Sequence, residues 1–382
     1  MSETKQQVLF VTKSDLSGTA GHNIATKAIV TAFARSERIN FTVVCPEPRD
    51  EFPTEVSDAI SSRTYLSERP TKPTLSQRGI GVIDMLQTLR TVITTEQPDL
   101  MIARMNSVFL SPPVLATYYD IPYALLSRGT AYKSLRFSSI LTQIYKYNVR
   151  AAAEVYVASN EIKQDTDRLR KPAQSEATFL PNAVDPDQFF PTEKTVARST
   201  IDLVEDSEFV IGFVGSMKPY HRIDHLIRSL DHVDHSKNIT LLLIGDGSEL
   251  DHYKQLAEDM RVSDQVVFTG FVPHTEVSTY ISACDILYGV SDQDSATPVK
   301  IFEYLACARP VIARNIDELS FINNQNLGRL VTRDPEAVGT AIEELWDIDP
   351  SHRQAMGNRG REYVKENRTW DAAVDRILDD FL

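Results

Sequence analysis

Short apolar runs alternate with longer helical patterns along this chain. In the first half the runs lie at 8–12, 41–45, 99–103, 123–126 and 154–158, and in the second half at 209–215, 239–245, 265–270, 285–290 and 309–313. Most are continuously apolar and do not alternate, which is typical of parallel strands covered on both faces. Helical patterns such as NIATKAIVTAFARS and ELDHYKQLAEDM lie between them. The alternation predicts an α/β protein built of doubly wound units.

The pattern restarts after the polar, proline-marked stretch LPNAVDPDQFFPTEKT (180–195). Prolines flanked by Asn and Asp favour a boundary over a continued sheet. We therefore expect two tandem doubly wound domains facing a cleft, with their connection near 182–200. Ligands of such sheets bind beyond the carboxyl ends of the strands, so the loops that follow strands are where function is expected.

The composition is that of a globular protein of 382 residues with a net charge of −13, which argues against a general nucleic-acid binder. The three cysteines all lie in apolar runs, and we expect buried, reduced thiols in a cytoplasmic protein. The apolar run near the N-terminus is too short for a signal peptide. No run approaches the ~20 apolar residues that span a bilayer. We expect a soluble protein, or one peripheral to a membrane.

Glycines follow the first strand of each half. Gly18 and Gly21 lie in TKSDLSGTAGHNIA, whose spacing differs from the dinucleotide-binding fingerprint. Glycines at a strand–helix junction let a backbone approach a ligand and leave helix amides free for an anion. A plain connecting loop is the alternative interpretation.

The loop of the second half, GSMKPYHR, begins at Gly215 and adds Lys218, His221 and Arg222. Cations between a strand end and a helix start suit a phosphate or diphosphate. A solvated basic loop remains the alternative. Farther on, the backbone of Phe271 and Val272 follows another predicted strand, where a flat nucleobase could rest; this signal is weak by itself.

The stretch SDQDSATPVKIFEYLACARPVIA carries the most chemistry. Thr297 is a plausible N-cap and Pro298 a favoured first helical residue, so the amides of 298–300 would form an anion site. Lys300 adds a charge, and Glu303 could accept hydrogen bonds from a ribose diol. The alternative is a surface Lys–Glu pair worth ~0.2–0.5 kcal/mol. The apolar helix favours a ligand, because a charge at a buried helix start needs a specific partner.

The Asp-Gln-Asp triplet at 292–294 resembles a metal–diphosphate signal of sugar-nucleotide enzymes that have a different, single-domain architecture. No Cys/His cluster has zinc spacing. We therefore predict neither a metal nor a cofactor.

Taken in order, these motifs resemble those of the family-4 glycosyltransferases of the GT-B fold (glycosyl transferases group 1). LPNAVDPDQFFP is similar to the family's PNGVD…F.P stretch, and TPVKIFEYLACARPVIA to its SPLK.FEYMAAGKPVVA. FVGSMKPYHRIDHLI, IGDGSELDHYKQLAED and VVFTGFVPHTEVSTYISACDI follow the family's order, and MGNRGREYVKENRTWDAAVDRIL looks like its terminal helices. The resemblance implies an acceptor-side domain at 1–185, a nucleotide-sugar-binding domain at 186–362, and a terminal segment, 363–382, whose last helix returns to the first domain.

The resemblance also implies a retaining hexosyltransferase that takes a sugar from a nucleotide diphosphate, of UDP- or GDP-hexose type, usually without metal. The acceptor would be a glycan, a lipid-linked molecule or a small molecule, in cell-surface glycan or polysaccharide biosynthesis. Glu303 would hold the ribose, Lys300 and the backbone of Thr297, Pro298 and Val299 the diphosphate, and Phe271 and Val272 the base. Gly18 and Gly21 would let the first loop approach the donor.

The chain departs from the family at several positions. Ser295 stands where the first acid of Glu-x7-Glu is expected, with Asp292 or Asp294 as stand-ins. Ser216 and His221 replace the usual Arg and Lys, and Lys218, His221 and Arg222 could share that role. Arg128 stands where a His often follows the strand at 123–126, and Ala308 replaces a glycine. The expected catalytic residues are therefore Lys300, Lys218, Arg222 and Arg128.

Residues 128–150 are basic, contain no acid and carry interleaved aromatics. Such a segment could rest on an anionic membrane surface, at the inner face of the membrane, near a lipid-linked acceptor. A helix that covers the sheet with its apolar side is the alternative. Two rival functions also remain: a catalytically weak, nucleotide-sugar-binding partner subunit, and a sugar-nucleotide epimerase on the same fold.

Overall fold

The computed structural model describes residues 5–18, 21–47, 62–66, 75–105, 110–128, 139–292 and 297–382. Contacts between Cα atoms divide the chain into two compact units. The first comprises Met1–Asn182 together with Trp370–Leu382, and the second comprises Ala183–Thr369. The division between Asn182 and Ala183 falls in the proline-marked stretch. The assignment of 1–185 to the acceptor and of 186–362 to the donor stays a prediction.

Each unit contains one parallel sheet. The first has seven strands in the order β3-β2-β1-β4-β5-β6-β7 and the second has six, in the order β10-β9-β8-β11-β12-β13. The strands of the first sheet are β1 (Gln6–Thr12), β2 (Ile39–Pro46), β3 (Ser62–Leu66), β4 (Leu100–Met105), β5 (Tyr123–Ser127), β6 (Glu154–Val157) and β7 (Thr178–Phe179). Those of the second are β8 (Phe209–Val214), β9 (Ile239–Ile244), β10 (Val266–Gly270), β11 (Ile286–Gly289), β12 (Val311–Arg314) and β13 (Gly328–Val331).

Helices connect the strands in both units. In the first unit they are α1 (Gly21–Arg35), α2 (Leu75–Glu96), α3 (Ser111–Tyr119), α4 (Ser139–Ala151) and α5 (Asn160–Asp167). In the second they are α6 (Lys194–Ile201), α7 (Ile223–Arg228), α8 (Leu250–Asp259), α9 (Val277–Ala283), α10 (Val299–Ala306), α11 (Phe321–Asn324), α12 (Pro335–Asp347) and α13 (Pro350–Asn367). The last helix, α14 (Trp370–Asp379), belongs to the first unit. The doubly wound α/β prediction is confirmed.

The second sheet is buried on both faces, which explains its continuous apolar runs. Ile211 and Phe213 of β8 pack in the core on one face, while Val210 packs in the core on the other. Leu241 and Leu242 of β9 divide between the same two cores. Alternate side chains of a strand point to opposite faces, so both faces of the central strands carry mostly apolar residues.

The returning helix α14 is held in the first unit by polar contacts as well as by its buried apolar face. The hydroxyl of Tyr156 donates to Asp380 Oδ2 at 2.6 Å, and Arg38 pairs with Asp379 at 2.8 Å. Trp370, Val374 and Ile377 are buried. The prediction that the terminal helix returns to the first domain is therefore confirmed.

All three cysteines, Cys45, Cys284 and Cys307, are buried free thiols, as expected. Within the described ranges, none of the helices has the length and apolar content needed to cross a membrane.

Candidate functional site

The carboxyl end of β8 meets the start of α10 at Gly215. Gly215 has φ +140°, and a Cβ placed there would lie 2.8 Å from Lys300 Nζ. Only glycine combines this backbone conformation with so close an approach. Gly215 therefore makes room for the Lys300 ammonium at the end of the strand.

Lys300 is held over an aromatic ring and beside an imidazole. Its Nζ lies 4.0 Å from the ring centroid of Phe213 and 3.5 Å from His221 Nδ1. Burial lowers the pKa of Lys300 from 10.5 to about 7, and the nearby charge of Glu303 opposes this shift. The free protein thus holds a cation that is half-protonated near neutral pH, in a place where an added negative charge would restore it.

His221 lies in the turn Pro219–His221 that follows Gly215. Its ring contacts Phe213 and Tyr220 at centroid distances of 5.4 and 4.4 Å. Burial, and then the charge of Lys300, lower its pKa far below 6.5. The imidazole is therefore neutral, and when Lys300 is charged its ammonium only donates, so Nδ1 accepts and Nε2 carries the proton. That N–H is the group His221 can offer to a ligand.

Glu303 lies one turn beyond Lys300 and is 6% exposed. Its Oε1 lies 3.3 Å from His274 Nε2, and His274 Nδ1 lies 3.1 Å from the side-chain nitrogen of Gln188. A carboxylate only accepts, so Nε2 donates to Glu303, and Nδ1 faces the side-chain nitrogen of Gln188. The ring also packs against Phe189 at 5.2 Å. This chain fixes the orientation of the Glu303 carboxylate.

The start of α10 differs from the sequence prediction in one detail. Helical geometry begins at Val299, and Pro298, with extended backbone angles, occupies the cap position without a side-chain cap hydrogen bond. Thr297 is buried one residue farther out, so it is not the N-cap. A Pro whose ψ is extended ends the loop and does not start the helix. The first-turn amides nevertheless begin beside Lys300.

Phe271 and Val272 follow β10, as predicted. The Phe271 side chain is 63% exposed, whereas Val272 packs against the core. Gly270 has φ +72°, and its carbonyl accepts from the amide of Gly245 at 3.0 Å. The chain therefore turns sharply at Gly270 and leaves the large aromatic ring of Phe271 exposed to solvent, three residues before His274.

The other predicted cations of the loop are arranged differently from Lys300. Arg222 pairs with Asp224 at 3.1 Å and with Asp292 at 3.2 Å, and Arg333 reaches the second oxygen of Asp292 at 3.1 Å. Lys218 is half-buried and Ser216 is exposed.

The structure describes only part of the segment around Ser295, the position where the family resemblance implied an acid. Asp292 contacts two guanidinium groups, those of Arg222 and Arg333. Asp294 and Ser295 lie outside the described residues. Over the ranges that are described, no group of three or more His, Cys, Asp or Glu side chains could hold a metal ion.

In the first unit, three candidates lie after the strands of the sheet, as predicted. Gly18 precedes and Gly21 begins α1, and a Cβ on Gly18 would collide with Asn23. Arg128 directly follows β5 and is 8% exposed. Much of the basic segment 128–150 falls on 129–138, outside the described residues. The segment's described helix, α4, exposes Ile140 and Tyr147.

The two parallel sheets with their helices define a two-domain α/β protein of the GT-B fold. The second unit has a cation, free helix amides and an oriented carboxylate at one strand end, an arrangement suited to a phosphorylated ligand with a diol.

Known proteins with this fold are similar to the chain over nearly all its length. A sucrose-phosphate synthase from Thermosynechococcus elongatus superposes with a TM-score of 0.79 at 18% identity, covering 99% of this chain and 98% of that one. HepE from Anabaena, in complex with UDP and glucose, superposes with a TM-score of 0.75 at 16% identity, covering 98% and 99%.

Comparison of the amino-acid sequence also finds similarity to glycosyltransferases. The model of the family described as Glycosyl transferases group 1 matches residues 208–347. N-acetyl-alpha-D-glucosaminyl L-malate synthase from Bacillus anthracis is 23% identical over 272 residues, 66% of this chain and 70% of that protein. These similarities support a place in the glycosyltransferase superfamily.

Sequence reasoning missed two residues. His274 orients Glu303, and its signal was its position two residues after the predicted base contacts. Arg104 lies buried at the end of β4. The sequence feature that could have revealed Arg104 is its position, a cationic residue at the end of a continuously apolar run.

Proposed function

We propose that this chain transfers a hexose, with retention, from a nucleotide-diphosphate sugar of UDP or GDP type to a glycan, lipid-linked or small-molecule acceptor. The product would belong to cell-surface glycan or polysaccharide biosynthesis. The observation that carries the proposal is the placement of Lys300 and Glu303 one turn apart at the start of a buried helix, beside the glycine that follows β8. The complex of HepE with UDP and glucose supports the choice of donor.

The diphosphate is assigned to the Lys300 ammonium, the Nε2–H of His221 and the amides at the start of α10. When the bond between the sugar's anomeric carbon and the diphosphate breaks, negative charge grows on the departing phosphate oxygens. Donors already held in place around that charge stabilise the transition state more than the ground state. Protonated Lys300 carries the full charge in this role, and His221 adds a neutral donor.

The nucleoside is assigned to Glu303 and the loop after β10. Glu303 Oε1 is occupied by His274, so Oε2 is the oxygen left to accept from the ribose hydroxyls. The exposed ring of Phe271 offers a face for the base. Lys218, Arg222 and Arg128 keep their predicted catalytic roles as proposals, although Arg222 first has to leave its two acids.

A panel of UDP-, GDP-, ADP- and dTDP-sugars in a thermal-shift assay tests the proposal. A donor that binds only the folded state raises the melting temperature by mass action. The purified chain should then hydrolyse that donor slowly, and Glu303→Ala should abolish the hydrolysis.

Other outcomes of this assay would select a rival function. Binding without turnover of any donor would favour the partner subunit, and interconversion of the sugar without release of nucleotide would favour an epimerase. If no member of the panel shifts the melting temperature, the donor site is assigned wrongly.

We also propose a peripheral contact of 128–150 with an anionic membrane. Ile140, exposed by 71%, Tyr147 and neighbouring Leu110 form part of an open apolar surface of the first unit. Apolar side chains beside basic ones suit the membrane interface. Flotation with anionic vesicles at low salt tests this contact, and absence of binding would remove it.

A further inference from the structure

Two arginines are buried at the carboxyl end of the first sheet. Arg104 lies in β4 and Arg128 directly follows β5, the strand that pairs with β4. Their relative exposures are only 5% and 8%. Loops and strand ends at this edge of a doubly wound sheet are where ligands bind.

Protein groups leave most of this positive charge unpaired. Arg128 donates from one terminal nitrogen to the carbonyl oxygen of Leu180 at 2.5 Å, but its Nε and other terminal nitrogen are buried without a partner. One terminal nitrogen of Arg104 is also buried without a hydrogen-bond partner. Burial, and then the charge of Arg128, lower the pKa of Arg104, and burial lowers the pKa of Arg128 to about 10. Among the residues that the structure describes, no carboxylate pairs with either guanidinium.

Other buried arginines in this chain show how the protein satisfies such a group. Arg198 pairs with Asp285 at 2.9 Å and donates to three carbonyl oxygens. Arg353 donates to three carbonyl oxygens as well. A buried charge without a partner is costly. Buried Arg170 and Arg309 each leave only Nε without a partner, and both of their terminal nitrogens donate. Arg104 and Arg128 instead each leave a terminal nitrogen without a partner, and a partner from outside the chain would explain this difference.

The first turn of α1 lies at the same edge of the sheet. Thr12, the last residue of β1, pairs in register with Arg104, and α1 is the 15-residue helix that follows β1. His22 in its first turn is exposed. Partial burial of its ring, and then the charge of Arg104, lower the pKa of His22. First-turn amides of a helix have no intrahelical acceptor and attract anions.

We propose that Arg104 and Arg128, together with the first turn of α1, bind an oxyanion carried by the acceptor, either a phosphate monoester or a carboxylate. This proposal rests on the proposed function, because only a transferase has an acceptor. It adds that the acceptor is an anionic molecule. Guanidinium forks suit the planar, multidentate recognition of such groups. Bound there, the oxyanion would satisfy the unpaired nitrogens and fix the position of the acceptor.

Calorimetric titration of the full chain with inorganic phosphate tests the site without any nucleotide. Lys300→Met serves as the background, so that the donor site does not contribute. We expect Arg104→Gln and Arg128→Gln to bind phosphate at least tenfold more weakly, since charge-assisted hydrogen bonds are lost. Arg168→Gln, whose side chain is 71% exposed, is the matched control and should bind as the background does. Succinate, titrated in parallel, distinguishes a carboxylate from a phosphate group.

A stability measurement separates binding from folding. Removing one of two unpaired like charges should leave the melting temperature of Arg104→Gln unchanged or higher, while phosphate binding is lost. Phosphate binding equal to the background in both arginine variants would overturn the proposal. A large fall in melting temperature in Arg104→Gln would also overturn it, because the arginine would then serve the fold.

Turnover gives a third readout. For two acceptors that differ only in a phosphate or carboxylate group, the anionic one should have the lower KM, and Arg104→Gln should remove that advantage without changing the KM of the donor. An altered donor KM alone would assign the pair to the donor and overturn the proposal. Donor binding to the second unit is measured separately, so failure of the anion site and failure of the proposed function are distinguishable.

Discussion

At the scale of single residues, Lys300 gives a pH dependence that can be measured. Its pKa in the free protein is about 7, and a bound diphosphate raises it. Below pH 7 the ammonium is already charged, so this group adds no slope to the affinity for a nucleotide sugar. Between pH 7 and the pKa in the complex, binding requires uptake of a proton. The affinity should therefore fall by up to tenfold per pH unit, as calorimetry from pH 6 to pH 9 would show.

Lys300→Arg is the control for this prediction. Arginine stays protonated over the whole range, so the slope above pH 7 should disappear even if the affinity itself changes. A wild-type affinity that is constant from pH 7 to pH 9 would show that Lys300 does not meet the diphosphate.

His274 gives a second prediction at this scale. His274→Ala removes the donor that orients Glu303 and leaves its Oε1 unpaired, so we expect donor affinity to fall by roughly tenfold. Calorimetry with the same donor measures this change. His274→Gln keeps a donor in the side chain and should recover part of the affinity. If His274→Ala binds the donor as tightly as the wild type does, the imidazole has no role in positioning Glu303.

Residue-level prediction from the sequence succeeded where the signal was local and failed where it was not. Lys300 and Glu303 lie one turn apart, and the apolar helix around them favoured a ligand site although their spacing alone favoured a surface pair. The partner of Glu303 lies 29 residues earlier in the chain, in a loop that only the fold brings to α10. Asp292 likewise pairs with Arg222 and Arg333 only because the fold brings these residues together.

At the scale of elements, Gly215 lies where the end of β8 contacts the Lys300 ammonium of α10. Gly215→Ala introduces a Cβ with φ +140° and places it 2.8 Å from Lys300 Nζ. We expect a loss of stability of ~1–3 kcal/mol from the backbone alone, with weaker donor binding because the ammonium has to move. Thermal unfolding and calorimetry measure the two effects.

Gly270→Ala is the matched variant for stability. Its φ is also positive, at +72°, but no heavy atom lies within 4 Å of the added Cβ. It should show the backbone cost alone and unfold at a higher temperature than Gly215→Ala. Equal unfolding temperatures would mean that the collision with Lys300 is relieved without cost.

The strands in the middle of each sheet were predictable, whereas of the four edge strands only β10 was predicted. All ten predicted apolar runs form strands, whereas β3, β7 and β13 were missed, and each of them lies at a sheet edge. Their sequences, SRTYL, TF and GRLV, are short or mixed in polarity. An edge strand needs to be covered less completely than a central one, so hydrophobic pattern alone does not reveal it.

At the scale of the whole molecule, the order of motifs predicted the GT-B fold, and the doubly wound sheets confirm it. The sequence could not predict the buried Arg104–Arg128 pair, because two cations far apart in the chain become neighbours only when β4 and β5 pair. Ala308 illustrates a departure that the sequence did identify. It has φ +54° where the motif that the sequence resembles has glycine, at a cost of roughly 1 kcal/mol.

Calorimetric titration of the purified full chain with the best donor of the panel tests the central assignment most directly. Glu303→Ala and Lys300→Met should each bind the donor about 10- to 100-fold more weakly, since each loses hydrogen bonds to a charged group. Glu366→Ala, on an exposed part of α13, should bind as the wild type does. If Glu303→Ala and Lys300→Met both retain wild-type affinity, this site is not where the nucleotide sugar binds.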